Sequence, residues 1–380
     1  MNRDQGEVAA DSLTLRDRRV LLLLGQLRIG GTEKQVVLLA QGLRARGFVV
    51  HVALLFEGGP LEDDLVSAGI PVHHLHLRRG NSVVHNLMAF GRLCDLFRKI
   101  RPHVVHAFLY HSYVLGAPAA YITRVPVVVA GRRSLSDFKR GRRWVFALER
   151  AATRITHHIV ANAIAVAEDA RTLEGVPHDK ISVIYNGLRP SAFVQPATTC
   201  LSASKPVVLC VANLKPGKGH EYLVEAAARA RTPFTLVLVG AGPTHDQIAQ
   251  QASRLGVEVE LLGSQSDVTP LLFSADVVVL PSLHEGMSNA IMEAMAAARP
   301  IVATAVGGNV ELLEGRGLLV PPKDPDALAA ALDRLLQDRE QAAELGMAAK
   351  SWAMKNLDLD TMVDQHVDLY LRLMERRCVA

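Results

Sequence analysis

The stretch HEGMSNAIMEAMA, residues 284–296, sets two carboxylates eight positions apart, Glu285 and Glu293, with a Gly and a Ser-Asn pair between them. The preceding ADVVVLPS has the apolar run of a strand, ending at Ser282, and NAIMEAMAAA has the spacing of a helix. Ser288 is a good N-cap, so the helix is expected to start there, with Glu285 in the turn and Glu293 in the second helical turn. The first N–H groups and the positive end of the helix dipole suit an anion. Two carboxylates flanking a diphosphate held there would accept hydrogen bonds from hydroxyls on both sides of it. A molecule with hydroxyl-bearing rings on either side of a diphosphate is a sugar nucleotide. The apolar neighbours AIM and AMAAA argue that this helix is mostly buried and that Glu293 is not an ordinary surface residue.

Other residues have weaker claims. Lys218 stands between Gly217 and Gly219 in VANLKPGKGHEYL, a mobile point charge on a loop able to wrap an anion; a solvent-facing lysine in a turn reads equally well. In LGQLRIGGTEKQ, Gly30 and Gly31 permit close backbone approach to a ligand, and Thr32 with Gln35 has capping-box spacing. A tight turn without a ligand is as good a reading, and the spacing is not the dinucleotide fingerprint. VGAGP, residues 239–243, reads as turn chemistry. The Asp-x-Asp of LDLD near residue 360 reads as helix capping and not as a metal site.

The elements that would position these residues alternate along the whole chain. From RVLLLLG onward, apolar runs of strand length are separated by helical patterns, up to KISVIYNG near residue 187. RPSAFVQPATTCLSASK breaks the pattern, and strands and helices then resume from PVVLCVANL. The spacing predicts two doubly wound α/β domains with parallel sheets: a polar tail over 1–18, a first domain over 19–190, a linker over 191–205 and a second domain over 206–357. A C-terminal helix over 358–380 is expected to pack back on the first domain. In such sheets ligands sit beyond the carboxyl ends of the strands, so the cleft between the domains is the expected site.

At 380 residues, 49% apolar and 21% charged, the chain has the composition of a two-domain globular protein. A net charge of +4, spread without a reading motif, gives no ground for a nucleic-acid partner. Cys94, Cys200, Cys210 and Cys378 are scattered without metal-type pairing and read as reduced thiols. The first 18 residues lack the apolar core of a signal peptide, and no apolar run approaches the roughly 20 residues of a membrane span. The expected location is cytoplasmic.

At VANLKPGKGH, at LLGSQSDVTPLLFSADVVVLPSLHEGMSNAIMEAMAAARPIVATAVGGNVELL, and at GGTEKQVVLLAQGLRARG and IVANAIAVAEDARTLEGVPHDKISVIYNGL, the chain resembles the family-four retaining glycosyltransferases of the GT-B fold, the glycosyltransferase group 1 type. The resemblance covers nearly the whole chain, and EGMSNAIME is its specific element. It implies two Rossmann-like domains with parallel sheets facing across a cleft. Glu293 would bind the ribose hydroxyls, Glu285 the transferred sugar, and Lys218 the diphosphate, helped by the backbone of Met287, Ser288 and Asn289. The base would lie near Leu262 and Gly263, and Gly31 would let the first domain close over the phosphate. Two positions depart from the family: Asn213 stands where an arginine is usual, and VVHAFLYHSYVLG replaces a His-x-His pattern, leaving His106, Phe108 and His111. Of the two histidines, His111 is favoured as the one facing the donor sugar, because it lies beyond the strand end.

The expected activity is therefore transfer of a sugar from a nucleotide diphosphate sugar, such as a UDP- or GDP-sugar, to the hydroxyl of a saccharide or lipid-linked saccharide, without metal, in polysaccharide or glycolipid assembly. An epimerase of the same fold and a non-catalytic sugar-nucleotide-binding protein are the alternatives. RRSLSDFKRGRRWVFALER, residues 132–150, gathers basic and aromatic residues that suit an anionic membrane surface.

Overall fold

A computed structural model describes residues 17–77, 83–136, 143–197 and 204–378. It contains two parallel sheets. The first holds β1 (Arg19–Leu24), β2 (Val49–Leu54), β3 (Val72–His74), β4 (Val104–Phe108), β5 (Val127–Arg132), β6 (His158–Ala161) and β7 (Ile181–Val183), in the order β3-β2-β1-β4-β5-β6-β7. The second holds β8 (Val207–Val211), β9 (Thr235–Val239), β10 (Val259–Leu261), β11 (Val277–Leu280), β12 (Ile301–Thr304) and β13 (Leu318–Val320), in the order β10-β9-β8-β11-β12-β13.

The central strands are buried along nearly their whole length, as RVLLLL and VVVL require: with helices on both faces there is no solvent side for polar residues to alternate onto. In both sheets the winding reverses beside the first strand, between β1 and β4 and between β8 and β11. Ligands of open α/β sheets bind outside the carboxyl ends at such reversals. The loops that leave those ends are residues 25–30 and 109 in the first sheet, and 212–219 and 281–288 in the second.

Two local expectations are corrected. The strand before the EGMSNAIME turn ends at Leu280, not Ser282, because Pro281 has no N–H for the ladder. The helix after β1 runs Gly31–Ala45 with Gly30 as its N-cap and no side-chain capping bond, so Thr32 lies inside the helix and the capping box does not form. The capping reading of LDLD holds, since the Thr361 amide donates to Asp358 Oδ2 at 2.8 Å as the Leu359–Cys378 helix begins.

By contacts the chain forms two compact units: residues 1–130, 151–157 and 367–380, and residues 131–150 with 158–366. The division falls inside the first sheet's run of sequence and not at the 191–205 segment. In the first unit Tyr370, on the C-terminal helix, is fully buried, and its hydroxyl meets His106 Nδ1 of β4 at 2.6 Å. Cys94 and Cys210 are buried free thiols. Among the described residues no helix is long and apolar enough to cross a membrane.

Candidate active site

In the second unit, the loops after β8 and β11 are stitched together. Gly217 and Gly219 adopt the left-handed backbone that glycine permits, with φ of 89° and 71°. A Cβ on Gly219 would lie 2.0 Å from the Pro281 carbonyl oxygen, so only glycine lets the loops approach this closely. The Leu283 amide donates to the Gly217 carbonyl at 2.8 Å. Lys218, between these anchors, donates to Glu285 Oε1, which also accepts from Ser282 Oγ at 2.7 Å. Both bonds fall on Oε1, so Oε2 remains an acceptor for a ligand hydroxyl. Lysine carries three donors, so it can hold this carboxylate and an incoming anion together.

Beyond Glu285 the chain turns through Gly286 and Met287 into the Asn289–Ala296 helix, whose N-cap is Ser288 as expected; its hydroxyl accepts from the Ile291 amide at 3.3 Å. Glu293, a turn further on, is half-buried, while Ile291, Met292, Ala294 and Met295 are buried. The capped end thus keeps its first N–H groups at the switch-point edge of the sheet, where an anion would be stabilised by them and by the dipole.

The other candidates of this unit lie on neighbouring loops. Leu262 and Gly263 follow β10; Leu262 donates to Leu238 at 3.0 Å, and Gly263 accepts from the Gly240 amide at 2.8 Å. Asn213 is exposed on the loop after β8. The glycines of VGAGP serve packing between loops: a Cβ on Gly240 would sit 2.1 Å from the Ala212 carbonyl, and one on Gly242 2.0 Å from that of Leu214. Near Lys218, burial pushes the Cys210 thiol up to about 12, and burial together with the lysine charge holds the His220 imidazole down to about 4. Neither group is charged near neutrality.

Several residues that no spacing announced frame this turn. A Cβ on Gly286 would lie 2.3 Å from the Arg133 carbonyl, and the Gly308 amide donates to Gly286 at 2.8 Å. Arg133 is buried and donates to Asn186 Oδ1; Asn186 Nδ2 donates to Asn289 Oδ1 at 2.8 Å. Glu311 of VGGNVELL accepts from the Ile164 and Ala165 amides at 3.0 and 3.3 Å, capping the Ile164–Asp169 helix. Arg132 is buried against Glu174 at 2.8 Å and Glu149 at 3.5 Å. Burial and the adjacent Glu174, which already engages the arginine, push Glu149 up to about 9. Arg132 and Arg133 are therefore withdrawn from the basic surface expected over 132–150, and residues 137–142 lie outside those described.

The remaining candidates belong to the first unit. Gly30 and Gly31 open the helix after β1. His106 is fully buried in β4, stacked on Phe108 with centroids 4.0 Å apart, and is a core histidine. His111 is exposed in the first turn of the Tyr110–Ile122 helix, edge-on to Phe56 at 5.8 Å. It follows Leu109, a branched residue held at φ 66°, a strained conformation of the kind that clusters at functional turns.

The same architecture is found in known proteins. The Anabaena HepE protein, solved in complex with UDP and glucose, is 25% identical and matches with a TM-score of 0.81 over 93% of this chain and 99% of that chain. Two parallel Rossmann-like sheets with a lysine–glutamate pair at the second switch point define the class: a GT-B glycosyltransferase. A family model described as Glycosyltransferase Family 4 matches residues 29–192, and one described as Glycosyl transferases group 1 matches residues 205–338. The chain belongs to this family. An uncharacterized glycosyltransferase of Methanocaldococcus jannaschii is 27% identical over 91% of this chain and 95% of its own length. An Escherichia coli UDP-Gal:alpha-D-GlcNAc-diphosphoundecaprenol alpha-1,3-galactosyltransferase is 27% identical over 84% and 88%.

Proposed function

We propose that the chain transfers a hexose from a nucleoside diphosphate sugar to the hydroxyl of a saccharide or lipid-linked saccharide, with retention at the anomeric carbon. The observation that carries this reading is the Lys218–Glu285 pair beside the Ser288-capped helix, at the β8/β11 reversal. Lys218 and the Met287–Asn289 amides would bind the diphosphate and stabilise its charge as it leaves, which lets the reaction proceed without a required metal. Glu285 Oε2 would accept from the transferred sugar, Glu293 from the ribose, and the base would lie over Leu262 and Gly263. The departing diphosphate would take the acceptor proton as the acceptor attacks from the same face. The UDP bound by the HepE protein and the UDP-Gal and diphosphoundecaprenol in the name of the Escherichia coli relative support this class of donor and acceptor.

On the acceptor side, Trp144 and Leu148, 64% and 47% exposed on one helix, support contact with an anionic lipid surface. Sedimentation with anionic but not neutral liposomes at low salt is expected, and equal sedimentation would remove this part of the reading. The function itself is tested by incubating the protein with UDP-, GDP- and dTDP-sugars and simple glycan or lipid-diphosphate acceptors. Release of nucleoside diphosphate and an α-linked product from an α-configured donor are expected. A product of inverted configuration would refute retention, and no turnover of any donor would refute the activity.

A further inference from the structure

We propose that Arg133 and Asn186 are positioning residues for the donor turn: Arg133 sets the amide of Asn186, and Asn186 holds Asn289 and Met287, fixing where the first N–H groups of the helix point. The inference rests on the proposed donor reading of that turn. A guanidinium only donates, so the Asn186 carbonyl oxygen must face Arg133 and its NH2 must face the other way. That NH2 donates to Asn289 Oδ1 at 2.8 Å, which in turn fixes the Asn289 amide. The Asn186 backbone N–H points at Met287 Sδ, 3.5 Å away. One asparagine therefore grips two of the three residues whose amides would hold the diphosphate.

Arg133 also touches the turn directly. Its backbone carbonyl fills the space a Gly286 side chain would need, so the Gly286 main chain rests on the Arg133 main chain. Arg133 as a whole is only 8% exposed. A brace that merely filled space could be apolar and would avoid the cost of burying a charge. An arginine–asparagine–asparagine relay adds direction, because each amide orientation follows from the donor before it. Catalysis by charge stabilisation depends on such fixed directions, since donors that must reorient lose their advantage in the transition state.

Asn186→Asp separates positioning from folding. The aspartate still accepts from Arg133 but cannot donate to Asn289. Its melting temperature is expected to stay near that of the parent, while affinity for UDP or GDP, read by calorimetry, falls about tenfold. Hydrogen exchange of the 286–291 amides should quicken while β8 and β11 stay protected. In an Asn289→Ala background the same substitution should cost no further affinity; a loss that persists there would be plain charge repulsion and would overturn the relay. Arg133→Met should weaken binding similarly, with Arg133→Lys restoring most of it. Nucleotide affinity and exchange unchanged in Asn186→Asp would also overturn the relay while leaving the donor reading intact. A parent protein that binds none of UDP, GDP and dTDP would overturn both.

Discussion

At the scale of single residues, the proposed function gives the two glutamates and the lysine distinct duties, so their variants should fail differently. Lys218→Ala removes the charge that faces the departing diphosphate, so kcat should fall more than donor affinity, by tenfold or more; an unchanged kcat would reduce Lys218 to a partner of Glu285. Glu293→Ala removes bonds to a part of the donor that does not react, each worth about 1.5–3 kcal/mol when one partner is charged, and should mainly raise KM. A 2′-deoxyribose donor should be poor for the parent and lose little more in that variant. Glu149 supplies a pH test. Its carboxyl ionises near 4.5 when unfolded and near 9 when folded, so the folded state keeps the proton. The stability this proton gives is complete below about pH 4.5 and is lost as pH rises towards 9. Calorimetry should therefore find that Glu149→Gln loses less stability than the parent between pH 6 and 9. The juxtaposition of Lys218, Glu285 and the Ser288-capped helix was legible in the sequence because these residues share short loops with glycines and caps. Arg133, Asn186 and the Arg132–Glu174 pair were not, because their partners are 42 residues or more away in sequence and only packing brings them together.

At the scale of elements, hydrophobic patterning made the alternation of strands and helices readable, because parallel strands covered on both faces must be continuously apolar. The Ser288 cap was readable for the same kind of reason: a hydroxyl at a strand-to-helix junction has one obvious use. The glycine-led helix was misread at its start, because capping-box spacing at Thr32 and Gln35 says nothing of the backbone course that made Gly30 the cap. Close backbone approach was the other illegible feature. Gly286 lies in a stretch the sequence singles out, yet nothing there announces that a single methyl would collide with the Arg133 carbonyl. Gly286→Ala should destabilise the protein by about 1–3 kcal/mol through overpacking and shift Met287 and Ser288 enough to lower kcat at least tenfold. Gly256→Ala is the control: that glycine is left-handed, at φ 68°, and has nothing within 4 Å of its absent Cβ. It should cost stability and leave kcat untouched, as melting and steady-state rates measured together will show.

At the scale of the molecule, acid sensitivity follows from two histidines kept neutral in the interior. Burial holds His220 near 4 and His366 near 3, below their ordinary 6.5. The unfolded chain takes up these protons below about pH 6.5 and the folded chain does not, so their contribution is complete above 6.5 and is lost as pH falls towards 4 and 3. Between pH 6 and 4.5 stability should decline, and more gently in His220→Gln; an identical slope in that variant would mean the imidazole is not held neutral. A further consequence follows from where the compact units divide. The 191–205 segment looks like a seam at which an ancestral gene could be cut and its halves exchanged. Yet residues 131–150 and 158–187, coded before that seam, belong to the same compact unit as the β8–β13 sheet coded after it. A hybrid joined at the seam would set one parent's Arg133 and Asn186 against the other's Gly286 and Asn289. Recombination between relatives should therefore succeed where these four positions match, or where the crossover falls near Gly131. The unit of inheritance for the proposed donor turn begins some sixty residues before the seam that the sequence advertises.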